Sequence, residues 1–290
     1  MKNKLLLLIV LFTLHLNALD NKGIHHYIKQ YMEKKMHSKV EKIETISSYP
    51  IQGTHGWKVY FLSLDMNVKM GKVIRKRTIS QVVFAKGNRI AFALKNSKNQ
   101  NYKKLLKPKV PHSAYDDKHL LVGNKNAKHK ILVMSDPFCP FCQEIIPKLI
   151  DDVIANPDTF ALYYYHLPLL RIHPASDTTS RAMLIFQKKN DVKNLKKMYH
   201  LLVNPRERNA DIILKEINKQ AGTNIKRVHI YTDEIEKDLK EDHTLKKRLM
   251  VTGTPTIFID DVWDPTRFAY KNYLPKAQRT ELKKKNIEKH

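Results

Sequence analysis

The chain has 290 residues, of which 42% are apolar and 28% are charged, and its formal net charge is +25. This size suits two domains with modest cores, on a prior of about 150 residues per domain. Beyond the N-terminal segment, no apolar stretch approaches the roughly 20 residues of a membrane-spanning helix. The lysines are spread along the chain without interleaved aromatic residues, which argues against nucleic-acid binding. It favours a solvated surface over a binding patch for acidic proteins or lipid.

Residues 1–18 have the pattern of a secretory signal peptide. Lys2 and Lys4 give a positive start, residues 5–14 are almost entirely apolar, and Ala18 suits a cleavage site. The apolar run is short for a membrane span, so we predict that the mature protein is exported from the cytoplasm. A retained N-terminal membrane anchor is the alternative.

Residues 19–95 are predicted to form a small α+β domain. Apolar residues recur at helical spacing over residues 24–36. Four strand-like segments follow, and a turn at Gly87 joins the last two as a hairpin. The predicted strands are residues 40–47, 57–64, 73–84 and 89–94. Such a unit has an exposed sheet edge and a limited core, so pairing with a second copy would stabilise it.

Residues 96–118 are predicted to be a linker, because they are rich in Lys, Asn, Ser and Pro. Pro108 and Pro111 favour an extended chain there. The remainder, residues 119–290, is predicted to contain two strands, several helices and then more sheet. The predicted strands are 120–122, 130–134, 160–166 and 256–259, and the predicted helices are 143–150, 175–188, 191–203, 210–221, 230–249 and 276–288.

The chain contains two cysteines, Cys139 and Cys142, which lie at the predicted start of a helix directly after an apolar strand. A bridge over so short a loop does little for stability, and two cysteines cannot fill a four-ligand zinc site without histidines. A strand that leads into C-x-x-C at a helix N-terminus is typical of thioredoxin-like redox sites. The pattern therefore predicts thiol electron exchange on a thioredoxin core with helices inserted in the middle.

A second motif, Thr254-Pro255, directly precedes the apolar strand at residues 256–259. Proline lacks the N–H that sheet pairing needs, so it belongs at a strand start or edge. A cis peptide bond before Pro255 would fit this position, and an ordinary trans turn is the alternative.

The run at residues 136–142, Asp-Pro-Phe-Cys-Pro-Phe-Cys, together with Thr254-Pro255, resembles the active site of the bacterial periplasmic DsbC/DsbG group of disulfide isomerases and reductases. The resemblance implies a cystatin-like dimerisation domain over residues 19–95, joined by a linker to a thioredoxin-like α/β domain over residues 119–290. A V-shaped homodimer in the periplasm would follow. The chain departs from the group in its lysine-rich linker, and it lacks the second cysteine pair of DsbC.

The resemblance also implies partners and chemistry. The expected partners are exported proteins with cysteines and a membrane redox protein of the Dsb type, with no nucleic acid. No cofactor is expected beyond the redox-active disulfide of Cys139 and Cys142, and no resident metal. Cys139 at the helix start should be the exposed attacking thiol, which reacts as a thiolate, and Cys142, one turn further, the buried resolving thiol.

Three residues around the cysteine pair are predicted to tune its redox properties. Pro140 suits an early helical position. Phe141 replaces the histidine of DsbA-like oxidases, so we expect a less stabilised Cys139 thiolate and a milder oxidant. Asp136 is either a proton acceptor for Cys142 or an Asx-turn residue.

Thr254 and Pro255 are predicted to form a loop beside the cysteine pair. In cis, Pro255 would keep metal ions off the pair, and the Thr254 backbone would bind an extended substrate chain. The resemblance further suggests that the Thr254 hydroxyl hydrogen-bonds a sulfur.

The predicted function is reduction or isomerisation of disulfides in exported proteins. The alternatives are a dimeric DsbA-like oxidase, a non-catalytic periplasmic chaperone, and a handler of metals or haem apoproteins. His166 and His173 could complete an N₂S₂ zinc site with the cysteines, although ordinary histidines are favoured.

Overall fold

The structure is a computed structural model that describes residues 20–36, 38–70 and 73–280. The chain divides into two units, Met1–Lys104 and Leu105–His290. The predicted signal peptide lies outside the described residues. Of the final predicted helix, residues 276–280 are helical and the remainder lies outside the described residues. Within the described ranges, no helix is long and apolar enough to cross a membrane.

The first unit is one helix packed on an antiparallel sheet with strand order β1-β2-β3-β4. Its elements are α1 (Asn21–Met36), β1 (Lys39–Pro50), β2 (Lys58–Met70), β3 (Val73–Lys86) and β4 (Arg89–Ala91). Ile24 and Ile28, one helical turn apart, pack against the β2 residues Leu62 and Leu64. The predicted helix and all four predicted strands are present, but β1, β2 and β3 are longer than predicted and β4 is shorter, ending at Ala91 instead of residue 94.

The second half of the predicted linker packs onto the second unit, which differs from the expectation of an extended linker over residues 96–118. A short helix, α2 (Tyr102–Leu105), precedes it. The Lys107 ammonium donates to the Met250 carbonyl at 2.9 Å. Val110 and Ala114 are buried in the core of this unit. The chain is extended at Pro111, as predicted, so the difference is that its apolar neighbours are buried in the core.

The second unit has the thioredoxin-like α/β fold, with a mixed five-stranded sheet in the order β5-β7-β6-β8-β9. Its strands are β5 (Leu120–Gly123), β6 (His129–Ser135), β7 (Phe160–His166), β8 (Thr256–Ile259) and β9 (Val262–Asp264). Its helices are α3 (Pro140–Ile154), α4 (Ser176–Lys188), α5 (Val192–Lys197), α6 (Ala210–Ala221), α7 (Arg227–Ile230) and α8 (Asp233–Arg248). The helices from α4 to α8 are inserted between β7 and β8.

Strand register brings the two sequence motifs to one edge of the sheet. β6 is parallel to β7 and antiparallel to β8, and Met134 pairs with Thr256. The end of β6, which leads to the cysteines, therefore lies beside the start of β8, which follows Pro255. Alternation along β6 also divides the core, because Ile131 and Val133 pack with α3 whereas Leu132 faces the other side.

A buried polar network ties α8 to the sheet. His119 Nδ1 lies 2.7 Å from Asp116 Oδ1, and His119 Nε2 lies 3.0 Å from Asp242 Oδ1. The second oxygen of Asp242 accepts from the His166 backbone N–H at 2.8 Å. Burial disfavours the charged imidazolium, but the hydrogen bond and charge of Asp242, with the charge of Asp116, outweigh it and raise the pKa of His119.

The raised pKa makes the contribution of His119 to stability dependent on pH. The charged ring stabilises the fold fully below its unfolded pKa of about 6.5, and this stabilisation is lost as pH rises through the folded pKa. We expect His119→Gln to lower the free energy of unfolding by about 2 kcal/mol at pH 5.5 and by less at pH 9.

Urea unfolding at the two pH values measures this difference. The exposed His112 provides a control, because His112→Gln should leave stability almost unchanged. Equal losses for His119→Gln at both pH values would show that its charge is not the stabilising feature.

Candidate active site

Cys139 occupies the N-cap position of α3, directly before Pro140. Its backbone is extended, with φ −70° and ψ 121°, and Pro140 fits the first helical position because the N–H it lacks would be unpaired there. Cys142 is fully buried, as predicted, but the prediction of an exposed Cys139 is wrong, because Cys139 is only 6% exposed. Both are free thiols, so the structure holds the reduced pair.

The buried carboxylate of Asp136 fixes the loop before the helix. It accepts from the Phe138 N–H at 2.8 Å, which forms an Asx turn, and from the Leu169 N–H at 2.6 Å. The Ser176 hydroxyl donates to it at 2.9 Å. Of the two interpretations of Asp136, the geometry favours the Asx turn. Its interaction with Cys142 is a backbone hydrogen bond, which lowers the pKa of that thiol.

The two sulfurs have opposite acidities. A hydrogen bond from the Cys142 thiol is the main cause that lowers the pKa of Cys139 to about 5. The Thr254 hydroxyl and the backbone N–H groups of Cys142 and Phe141 lower it further, against the effect of burial. Burial, followed by the hydrogen bond and charge of Cys139, raises the pKa of Cys142. The site therefore presents one ready thiolate beside one thiol that keeps its proton.

The Thr254-Pro255 motif contacts the Cys139 sulfur directly. The Cys139 thiol donates to the Thr254 carbonyl at 3.3 Å, and the Thr254–Pro255 peptide bond is cis. The Thr254 hydroxyl is buried and has no hydrogen-bond partner among the described residues while Cys139 is a thiol. Because the same hydroxyl lowers the pKa of Cys139, its partner on ionisation is the sulfur.

A cation that sequence reasoning missed lies over the ring of Phe141. The Arg267 guanidinium carbon is 5.0 Å from the centroid of the Phe141 ring, which is 56% exposed. Arg267 is in the loop after β9, and its φ of 67° is uncommon for a residue other than glycine. Arg267 therefore contacts the ring of Phe141, but it is not among the groups that lower the pKa of Cys139.

The two histidines considered for zinc lie in other environments. His166 is buried, its Nε2 is 2.9 Å from Gln187 Oε1, and burial lowers its pKa. His173 Nδ1 is 3.3 Å from Asp136 Oδ1. Among the residues that the structure describes, no group of three or more His, Cys, Asp or Glu side chains could hold a metal ion.

A comparison with protein families decides the assignment of the second unit. The family model described as Thioredoxin matches residues 116–268, more than half of the chain. The chain belongs to the thioredoxin family. The match contains the cysteine pair, the Thr254-Pro255 motif, Arg267 and the inserted helices of this thioredoxin-family chain. No curated protein matches its sequence.

Several solved structures are similar to part of this chain, each at low sequence identity. A thioredoxin-like oxidoreductase from Silicibacter pomeroyi DSS-3 is 18% identical, with a TM-score of 0.48, over 58% of this chain and 98% of the other. The catalytic domain of Proteus mirabilis ScsC is 24% identical, with a TM-score of 0.46, over 58% and 94%. BdbD from Bacillus subtilis is 16% identical, with a TM-score of 0.45, over 61% and 98%.

The lowered pKa of Cys139 predicts selective alkylation of the reduced protein. The rate of reaction with iodoacetamide should rise with a midpoint near pH 5, with modification on Cys139 alone while the protein is folded. Removing the main hydrogen-bond donor, in Cys142→Ala, should move the midpoint upward. A wild-type midpoint near the ordinary thiol pKa of about 8.5 would contradict the geometry.

The Thr254 hydroxyl predicts a second, smaller effect on the same titration. Thr254→Val keeps the shape of the side chain but removes the donor, so the Cys139 midpoint should rise by about 1 pH unit. Thr256→Val is the matched control, because the Thr256 hydroxyl bonds the Gly253 carbonyl at 2.7 Å. If both variants titrate like the wild type, the Thr254 hydroxyl does not bind the thiolate.

Proposed function

We propose that this chain is a periplasmic thiol:disulfide oxidoreductase of the DsbC/DsbG type, which reduces or isomerises disulfides in exported proteins. The observation that carries this proposal is the unequal cysteine pair, in which Cys139 has a pKa lowered to about 5 and Cys142 a raised one. A reduced pair of this kind attacks disulfides at neutral pH, where Cys139 is a thiolate. The signal-like pattern of residues 1–18 supports action outside the cytoplasm.

The chemistry needs only the two sulfurs as electron carriers, and no cofactor. The Cys139 thiolate attacks one sulfur of a substrate disulfide, the substrate S–S bond breaks, and the departing sulfur leaves as a thiolate. A mixed disulfide then joins Cys139 to the substrate. In isomerisation, another substrate thiolate attacks the mixed disulfide and returns Cys139 as a thiolate. In reduction, Cys142 loses its proton and attacks Cys139, which forms the Cys139–Cys142 disulfide and releases a substrate dithiol.

The loop of Thr254 supports the binding of an unfolded segment at this site. Its carbonyl lies 3.3 Å from the Cys139 sulfur, so it is next to the place where a substrate sulfur must arrive. A substrate chain that pairs with this loop would bind through backbone atoms and accept many sequences. A membrane redox protein of the Dsb type would restore the reduced pair after each reduction.

An oxidase of DsbA-like role is the second candidate, and the lowered pKa of Cys139 favours it. A stabilised thiolate makes the disulfide more oxidising. The pKa of about 5 for Cys139 nevertheless lies between the roughly 3.5 of DsbA and the roughly 7 of thioredoxin. We therefore favour a potential between the roughly −120 mV of DsbA and the roughly −270 mV of thioredoxin.

We further propose that the first unit is a cystatin-like module through which two copies pair. Within the described strands, β1 pairs on one side only, and β4 covers only the Phe84–Lys86 end of β3. Long unpaired strand edges are usually covered by another chain or protected by charge. A homodimer would bring two cysteine pairs to one substrate, which helps isomerisation.

The proposal predicts the outcome of two assays on one preparation. The potential of the Cys139–Cys142 pair, measured against glutathione, should fall near roughly −180 to −230 mV. The reduced protein should also restore activity to a scrambled multi-disulfide substrate, and Cys139→Ser should abolish this. Light scattering of the same sample should give twice the mass of one chain.

The outcomes separate the candidates. A strongly oxidising pair that forms disulfides in reduced substrates without unscrambling would establish the oxidase. A pair that glutathione cannot reduce would mean that the bridge is structural. A monomer in light scattering would reject pairing through the first unit and weaken the isomerase assignment.

A further inference from the structure

The loop that carries Arg267 begins at the edge of the sheet where the cysteine pair lies. β8 and β9 are antiparallel, and Ile257 near the start of β8 pairs with Asp264, the last residue of β9. The chain that leaves β9 therefore starts beside the start of β8, at the same edge as the end of β6. This register brings Arg267 over Phe141, which lies inside the cysteine pair.

Hydrogen bonds hold this loop in one conformation. The buried carboxylate of Asp264 accepts from the Thr266 N–H at 2.9 Å, from the Thr266 hydroxyl at 2.6 Å and from the Ala269 N–H at 2.8 Å. Thr266 Oγ1 accepts in turn from the Phe268 N–H at 3.1 Å. These bonds lie on both sides of Arg267, whose φ of 67° is in the left-handed region. A conformation of this kind persists where the surrounding bonds determine it, so the network fixes the backbone that carries the guanidinium.

The guanidinium of Arg267 has no acceptor among the described residues. Arg181 and Arg227, which lie over a tyrosine ring, each also pair with a carboxylate. Arg267 contacts the ring of Phe141, but none of its five N–H donors bonds to a described residue. Its charge is therefore available to a molecule that reaches the cysteine pair.

The loop on the other side of the cysteine pair also carries an arginine. β7 is parallel to β6, so both strands end at the same edge, and β7 lies on the side of β6 away from β8. In the loop after β7, Arg171 is exposed between Leu170 and Ile172, which are also exposed. No described carboxylate pairs with Arg171 or Arg267, including that of the exposed Glu144 on α3. The surface around the pair is thus cationic, with apolar neighbours.

We propose that Arg267 is a specificity-determining residue, which binds an acidic side chain next to the reacting cysteine of a substrate. A guanidinium matches a carboxylate with two parallel hydrogen bonds, and its position here is fixed by the loop. Because Arg267 lies over a residue inside the cysteine pair, the carboxylate it binds belongs close to the substrate sulfur. The proposal deepens the proposed function and rests on it, since it requires that Cys139 attack a substrate disulfide.

Peptides with a coloured leaving group measure this preference on the full reduced protein. In each peptide, a single cysteine is joined through a disulfide to 5-thio-2-nitrobenzoate. When the Cys139 thiolate attacks the peptide sulfur, a disulfide forms between Cys139 and the peptide, the original S–S bond breaks, and the coloured thiolate leaves. The peptides are identical except that Glu, Gln or Lys stands on both sides of the cysteine. Each rate is divided by the rate of the same peptide with 2-mercaptoethanol, which corrects for the effect of charge on the disulfide itself.

The wild type should react about fivefold faster with the Glu peptide than with the Gln peptide, which is the size of one partly exposed ion pair. Salt at about 0.5 M should reduce this ratio. Arg267→Gln should bring the ratio close to one, and Arg267→Glu should reverse the preference toward the Lys peptide. Arg267→Lys, which keeps the charge but not the planar group, should keep part of the preference.

Lys271→Gln is the matched control. It removes the same charge from the helical turn that follows the loop, where Lys271 Nζ lies 5.1 Å from the centroid of the Phe268 ring. This variant should keep the wild-type ratio. Because the ratio compares peptides on one protein, a loss of stability in a variant does not change it. Equal losses in Lys271→Gln and Arg267→Gln would assign the preference to the general positive charge of the chain, and an unchanged ratio in both Arg267→Gln and Arg267→Glu would also overturn the proposal.

The assay also distinguishes failure of this proposal from failure of the proposed function. If the wild type releases colour from all peptides at equal corrected rates, the role of Arg267 is rejected, while the thiol exchange that the proposed function needs is shown. If the Glu preference is present but scrambled substrates are not repaired, the isomerase assignment fails and the role of Arg267 stands. If no peptide releases colour, Cys139 does not attack disulfides, and both proposals are rejected.

Discussion

The site depends on the unequal hydrogen bonding of two buried sulfurs that lie one helical turn apart. Both lie in the core, but Cys139 sits at the start of α3, where backbone N–H groups are unpaired, and Cys142 lies inside the helix. The same hydrogen bond therefore has opposite effects, since it lowers the pKa of Cys139 and raises that of Cys142. The antiparallel register of β6 and β8 adds Thr254 to the Cys139 side. A different register would remove this contact even if both motifs kept their local structures.

The inserted helices are part of the site as well as part of the core. Through Asp136, the loop before the cysteines is bonded to Leu169, which follows β7, and to Ser176 at the start of α4. Through Ser135, the end of β6 is bonded to Tyr199 within the insertion. The insertion therefore holds residues 135 and 136, which directly precede the cysteine loop.

Sequence patterns predicted the features that depend on local structure. The cysteine pair at a helix start and the proline before β8 have spacings that only a few local geometries accommodate. The sequence predictions fail where a contact between residues far apart in the sequence determines the structure. Val110 packs into the core although proline and lysine surround it, and Arg267 reaches Phe141 from a loop far along the chain. Tyr199 gives no local signal either, because its partner hydroxyls come from two strands that precede it.

The hydrogen bond that activates Cys139 exists only while Cys139 is a free thiol or thiolate. Once Cys139 joins a substrate in a mixed disulfide, its sulfur carries no charge, and the Cys142 thiol loses a charged acceptor. The repulsion that raised the pKa of Cys142 disappears with it. Burial then opposes ionisation of Cys142, while the Ser135 side chain and the Asp136 backbone N–H favour it. In the proposed reaction, the Cys142 thiol therefore assists only the first half, in which Cys139 is the charged sulfur.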